Sequence, residues 1–369
     1  MSGALLLSVR DLCVDFQTPS GPVRVLDGIS FDVYRDEVLC IVGESGSGKS
    51  VTVLAIMGLL PPAARVTSGT IDWDGRDLLC LSPKQRRALR GGEMAMVFQD
   101  PMTSLNPVQR IGAQLGEMIG LHQPDLDRKS TRRLSAELLR AVRVPDPEGR
   151  LRAYPHQLSG GMRQRVMIAM AMANEPRLLF ADEPTTALDV TTQAQVLDVL
   201  RKMRNSTGSA MVLITHDLGV VAETADRVLV VYSGRVAESG PVVEIFSDPH
   251  HPYTAGLLGS MLRVDSDNSE ARAIRGQPPE PATRPPACAF QPRCELRQMA
   301  ACNTETPIPR AVLSSGAYPQ DGTPPHLTAC YCQGDVAAWI AAGRPARDRS
   351  DIPESYATTS PTSTPETAR

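Results

Sequence analysis

Eight consecutive residues, Gly43-Glu44-Ser45-Gly46-Ser47-Gly48-Lys49-Ser50, set glycines, a lysine and a hydroxyl in the spacing G-x-x-x-x-G-K-[ST]. Glycines lack a Cβ, so such a P-loop can wrap a polyphosphate and turn its N–H groups inward. Lys49 would reach the outer phosphates of a nucleotide, and Ser50 would hold Mg²⁺. A second set lies at Asp182-Glu183, where the apolar run Leu178-Leu179-Phe180-Ala181 ends. Beside a phosphate loop, the first acid can hold Mg²⁺ and the second can polarise a water for attack on a γ-phosphate. A third candidate is His216, delivered by the apolar run Met211 to Thr215. The carboxyl end of a core strand is where open α/β sheets bind ligands. Gln99 stands at the end of a fourth apolar run, Met94 to Phe98. Finally, Leu158-Ser159-Gly160-Gly161-Met162-Arg163-Gln164 opens a helix with Ser159 as its N-cap. That helix start can bind an anion yet has no phosphate loop of its own.

These residues need elements to hold them. Val38 to Val42 has strand length and Val51 to Met57 can begin a helix, which is the strand–loop–helix context a phosphate loop requires. Leu5 to Phe16 and Ile29 to Tyr34 read as strands around the turn-rich Thr18 to Pro22, and Gly69 to Asp74 as another. Phe16, upstream of the loop, has a ring that could stack on adenine, although taken alone it reads first as an ordinary strand aromatic. From 102 to 157 the pattern turns helical. Val108, Ile111, Leu115, Met118 and Ile119 share one face, and Leu134, Leu138, Leu139 and Val142 another. From Met162, positions 166, 169, 170 and 173 trace a further helix that Pro176 ends. A helix from about Thr191 to Arg204 follows Ala187-Leu188-Asp189. Val228 to Tyr232 and Arg235 to Glu238 form a hairpin around Ser233-Gly234.

Composition narrows the class. The 369 residues are 42% hydrophobic and 21% charged, as in a folded globular chain with room for one large domain and an appendage. A net charge of −3 gives no general case for nucleic-acid binding. No apolar run reaches the roughly 18 residues that would cross a bilayer, and the first residues lack the basic start and cleavage pattern of a signal peptide. The expectation is a cytosolic chain whose cysteines are thiols or metal ligands rather than disulfides.

The cysteines are unevenly placed. Cys288, Cys294, Cys302, Cys330 and Cys332 crowd the end of the chain, after a polar, Gly- and Pro-rich stretch at 264–287. Their spacing is neither that of a paired zinc ribbon nor that of bacterial ferredoxins, so spacing alone leaves zinc and iron–sulfur open. Beyond about 344 the chain is too poor in apolar residues to build a core, and disorder is expected.

Taken together, these motifs strongly resemble an ABC ATPase, the nucleotide-binding subunit of an ABC transporter, over roughly residues 5 to 260. The specific element is LSGGMRQR at 158–165, in register with Gln99, Asp182-Glu183, Ala187-Leu188-Asp189 and His216. FQDPMTSLNP at 98–107, ADEPTTALDVTTQAQ at 181–195, ITHDLGVVAE at 214–223 and HPYTAGLL at 251–258 resemble the oligopeptide/dipeptide branch. The resemblance implies an α/β fold: a P-loop NTPase core with a mixed sheet, an antiparallel β-subdomain and an inserted α-helical subdomain at about 102–175. It implies an ATPase domain at 1–260, a linker at 261–287, a small cysteine-rich C-terminal extension at 288–343 and a tail at 344–369.

The resemblance also implies roles. Residues Gly43 to Ser50 bind ATP, with Phe16 on adenine. Ser50, Gln99 and Asp182 attend the Mg²⁺, Glu183 is the general base, and His216 holds the γ-phosphate. Ser159, Gly160 and Gly161 serve the nucleotide of a second ABC ATPase subunit, a paralogue or a second copy. Two transmembrane permease subunits and, indirectly, an extracytoplasmic solute-binding protein complete the implied importer, with this chain on the cytoplasmic face of the membrane. The solute could be a peptide, or nickel or another small solute; a soluble ABC ATPase outside transport and a redox-sensing module built on the cysteines are the readings from other classes. In the family pattern, Cys288-Ala289-Phe290-Gln291-Pro292-Arg293-Cys294, then Cys302, then His326-Leu327-Thr328-Ala329-Cys330, implies a [4Fe-4S] cluster on Cys288, Cys294, Cys302 and Cys330, with zinc as the alternative and Cys332 to spare.

Overall fold

The computed structural model describes residues 3–186, 188–260, 274–297, 299–312 and 324–341. Ala187, part of the expected linker and the tail beyond 341 lie outside the described residues. Twelve described strands make two sheets. β1 (Leu5–Thr18), β2 (Gly21–Tyr34), β4 (Ala64–Trp73) and β5 (Arg76–Asp77) form an antiparallel sheet in the order β2-β1-β4-β5. The other eight are β3 (Val38–Val42), β6 (Met94–Val97), β7 (Leu178–Asp182), β8 (Ala210–Ile214), β9 (Arg227–Tyr232), β10 (Arg235–Pro241), β11 (Arg310–Ala311) and β12 (Leu327–Thr328). They run β11-β12-β10-β9-β3-β8-β7-β6. From β9 to β6 every pairing is parallel; β10, β12 and β11 add antiparallel strands at one edge.

The parallel strands are apolar throughout because both faces are covered. Their alternation still sorts the side chains. Val38, Cys40, Val42, Leu179, Ala181, Met211 and Leu213 join the core shared with the helices. Leu39, Ile41, Leu178, Phe180, Val212 and Ile214 join the core shared with the antiparallel sheet. The period of two is thus written into runs that look uniformly hydrophobic.

The helical insertion holds helices Pro101–Ser104, Ile111–His122, Arg128–Ala141, Pro147–Arg150 and Gly160–Ala171. Asp127 caps the third of these, accepting from the Ser130 N–H at 2.7 Å. Ile111, Leu115, Ile119, Leu138, Leu139 and Val142 are buried as expected. Val108 is not: it is 79% exposed and precedes the helix, which starts at Ile111. The Pro107 step and the Asn106 turn, whose side chain accepts from the Val108 N–H at 3.1 Å, end the apolar face early. The first two strands are also longer than the sequence suggested, meeting in a tight turn at Pro19-Ser20 with Gly21 at φ 116°.

The C-terminal segment adds to the large sheet. β12 pairs with β10, placing Thr328 opposite Glu238 and Leu327 opposite Ser239. Glu238 is fully buried there and gathers His326 Nε2 at 2.8 Å together with the backbone N–H groups of His250 and His251 at 2.5 and 3.1 Å. A buried carboxylate needs such partners, and these tie three distant pieces of chain together.

Candidate functional site

Register brings the site together. β3, β8, β7 and β6 lie side by side and parallel, and each runs into one part of it. β3 leads into the phosphate loop, β8 into His216, β7 into Asp182-Glu183 and β6 into Gln99. Val97 pairs with Ala181 and Asp182 with Ile214, so two residues further on Gln99 stands level with Glu183.

The contacts follow from that register. Ser50 Oγ donates to Asp182 Oδ1 at 3.0 Å. Gln99 Nε2 and Thr186 Oγ1 donate to Glu183 Oε2 at 3.0 and 2.8 Å. His216 Nδ1 lies 3.6 Å from Glu183 Oε1, with its ring 66% exposed. Glu183 has φ 44°, a left-handed conformation rare for a non-glycine residue and found where function holds backbone strain.

The loop is built by close approach. A Cβ on Gly43 would lie 2.1 Å from the Val231 carbonyl oxygen, and one on Gly48, at φ 103°, 2.6 Å from Leu26. No side chain fits either place. Lys49 Nζ donates to the carbonyls of Gly43 and Glu44 at 2.9 and 2.8 Å. Burial pulls the Lys49 ammonium below its ordinary range, against the pull of Glu183, Asp182 and Glu44. Burial likewise raises the Asp182 carboxyl, opposed by the Ser50 hydrogen bond and reinforced by Glu183. A dication would relieve the carboxylate, as anionic phosphate would the ammonium, and a paired hydroxyl and carboxylate are the hard oxygen donors Mg²⁺ takes together with phosphate and water. The residues present fit it.

Ser159 caps helix Gly160–Ala171, its Oγ accepting from the Met162 N–H at 3.3 Å. Ser159 and Gly160 are exposed, and among the described residues no hydrogen bond joins Ser159, Gly160 or Gly161 to the phosphate loop. Phe16 is half-buried on β1, opposite Val23 and Ala64.

The phosphate loop, Asp182-Glu183 and the segment 158–165 occupy one scaffold, and the comparisons agree on what that scaffold is. Residues 26–186 match the ABC transporter family and residues 237–302 the oligopeptide/dipeptide transporter C-terminal region. The dipeptide transport ATP-binding protein DppD of Bacillus subtilis is 51% identical over 303 residues, 82% of this chain and 90% of that protein. The chain belongs to the ABC transporter ATP-binding proteins. The oligopeptide transport ATP-binding protein OppD of Salmonella typhimurium is 47% identical over 304 residues, 82% of this chain and 90% of its own length. A dimeric ATP-binding cassette in a post-hydrolysis state with ADP and Pi is similar at TM-score 0.58 and 25% identity, covering 64% of this chain and 99% of that one. This cassette is therefore an ABC-type ATPase of the P-loop α/β fold. No described helix is long and apolar enough to cross a membrane.

The cassette's cysteine segment is gathered but is not set as a metal site. Cys302 and Cys332 are buried in a small cluster with Leu296 and Val336, against which Cys294 and Cys330 pack. Burial pushes the Cys294 thiol up to about 12 and Cys302 up to about 11. Cys330 is raised first by its hydrogen bond with Cys332 and then by burial. Cys332, which the sequence pattern leaves spare, bears on the titration of all four other cysteines. Among the described residues, no group of three or more His, Cys, Asp or Glu is placed to hold a metal ion, so the geometry does not support the expected [4Fe-4S] cluster.

Sequence reasoning also passed over Tyr253, Thr186 and Arg293. Tyr253 is fully buried, and its Oη accepts from the Glu44 N–H at 2.8 Å. It sits in HPYTAGLL, a segment that marks the branch without disclosing a role.

Proposed function

We propose that this cassette is the ATP-hydrolysing subunit of an importer for dipeptides or oligopeptides, working at the inner face of the membrane. The observation that carries the reading is the pair of contacts Ser50–Asp182 and Gln99–Glu183 at the carboxyl ends of the parallel strands, in a chain about half identical to peptide transport ATP-binding proteins. Lys49, Ser50 and the loop amides bind the phosphates, and Phe16 stacks on adenine. Mg²⁺, held by Ser50 and Asp182 with Gln99 nearby, would offset phosphate charge. Glu183, aimed by Gln99 and Thr186, takes the proton of the attacking water, and His216 holds the γ-phosphate. Ser159, Gly160 and Gly161 serve the nucleotide bound by a second ABC ATPase subunit, whose own signature completes the site here. ATP joins the two subunits, hydrolysis frees them, and the movement drives two permease subunits fed by a solute-binding protein.

The division into an ATPase domain to about 260 and a cysteine extension from 288 belongs to the same reading, as does a metal on the extension. Four thiolates would suit [4Fe-4S] or zinc. The support for a metal is the convergence of the thiols; binding would require them to rearrange and lose protons.

The test is copurification followed by reconstitution. The tagged chain should bring down two multi-span membrane proteins, and ATP hydrolysis by the reconstituted complex should rise with a peptide-loaded binding protein. Full activity with no membrane partner would overturn the transport reading. Stimulation by a nickel-loaded binding protein and none by peptide would overturn the substrate.

A further inference from the structure

Arg293 lies in the cysteine segment, between Cys288 and Cys294 and 249 positions from the phosphate loop, yet it grips that loop directly. Its Nη1 and Nη2 donate to Glu44 Oε2 and Oε1 at 2.5 and 2.9 Å, a bidentate pair. Nη1 also donates to Tyr232 Oη at 3.3 Å, Nη2 to the Gly276 carbonyl at 3.2 Å and Nε to the Arg275 carbonyl at 2.9 Å. The guanidinium stacks over the rings of Tyr232 and Phe290. With 5% of the side chain exposed, against 28% for Glu44, the fork is fixed and largely shielded from water.

Glu44 is thereby held at three points. Arg293 takes its carboxylate, Tyr253 its N–H and Lys49 its carbonyl. A second tie reaches the loop from the stretch just before that segment. Arg284 Nη1 donates to the Ser233 carbonyl at 2.6 Å, and the next residue, Gly234, donates its N–H to the Ser47 carbonyl at 2.8 Å. Arginines on both sides of Cys288 therefore hold the front and the middle of the P-loop.

We propose that the C-terminal segment is a clamp on the phosphate loop and that Arg293, through Glu44, is a positioning residue for ATP. A glycine-rich loop loses much backbone freedom on closing around phosphates; a loop ordered beforehand binds more tightly because less ordering remains to be done. The inference rests on the ATP reading of the loop, and nucleotide binding by the unmodified chain checks that separately.

The experiment is equilibrium binding of Mg·ATP to the purified full chain, with thermal melting in parallel and turnover at saturating ATP. Arg293→Ala should weaken ATP binding on the order of tenfold and leave saturated turnover unchanged, which separates positioning from catalysis. Arg293→Lys should recover part of the loss, because it restores charge without the fork. Adding Glu44→Gln to Arg293→Ala should bring no further loss, the mark of residues that act as a pair. A lower melting temperature with unchanged ATP affinity in Arg293→Ala would overturn the proposal, as would additive losses in the double variant. Should the alanine variant not fold, parent-like ATP affinity in Arg293→Lys overturns it and a partial loss supports it.

Discussion

Gln99 and Glu183 are 84 positions apart and meet at 3.0 Å, the amide of one donating to the carboxylate of the other. Gln99 also lies between β6 and the first helix of the insertion, Pro101–Ser104, so the insertion begins at the group in contact with the glutamate. Thr186 fixes the same oxygen at 2.8 Å, which leaves Oε1 turned toward His216. Preorganisation of this kind means the glutamate needs little rearrangement when substrate arrives.

Glu183→Gln should keep ATP binding and lose turnover by roughly 10²–10⁴-fold, the usual worth of a positioned general base. The amide preserves the shape and removes the base. Near-normal hydrolysis by the purified complex would reject Glu183 for that role.

Ser159→Arg should stop hydrolysis at a partner's nucleotide while leaving the chain's own P-loop able to bind, because Ser159 and Gly160 face outward. Mixed dimers of variant and parent subunits, followed in single turnovers, should lose the site built from the altered signature and keep the other. Equal loss at both would reject a site shared between subunits.

His251 predicts a pH dependence of stability. Burial depresses its imidazole to about 4, against the opposing pull of Glu238. Its Nδ1 accepts from the Tyr253 N–H at 3.0 Å, which requires the neutral ring. Between about 4 and the ordinary histidine value of 6.5, the unfolded chain binds more protons than the folded one, so stability rises with pH. The contribution is complete above that window and fades as pH falls through it, by roughly 2 kcal/mol at pH 5. His251→Asn, which keeps a capping oxygen without a titrating ring, should flatten that part of the profile in denaturant melts. An unchanged profile would assign the slope to other groups.

Replacing Cys288, Cys294, Cys302 or Cys330 singly with Ser tests the metal reading by analysis of iron, sulfide and zinc. On that reading, each change should empty the segment of metal and loosen it to proteolysis, with the phosphate loop intact. The central place of Cys332 makes its variant the informative control. Loss of metal in Cys332→Ser and retention in Cys330→Ser would move the fourth ligand to Cys332, and a parent protein without metal would end the assignment.

Much of this cassette was legible in its residues, and for a physical reason. Phosphate binding, helix capping and a parallel core each demand particular residue types at short spacing, so Gly43 to Ser50, Ser159 and the runs ending at Gln99, Asp182-Glu183 and His216 announced themselves. Val108 misled because apolar periodicity does not know where a helix starts; a proline and an Asn turn decided that. What only the tertiary structure decided are relationships set by strand register and long-range closure. The pairing of Val97 with Ala181 put Gln99 beside Glu183. The pairing of β12 with β10 folded the C-terminal segment onto the large sheet, near enough for Arg293 to hold Glu44. No local pattern encodes such contacts, because a bidentate ion pair across 249 residues depends on where two chain segments end up, and the sequence between them carries no period that says so.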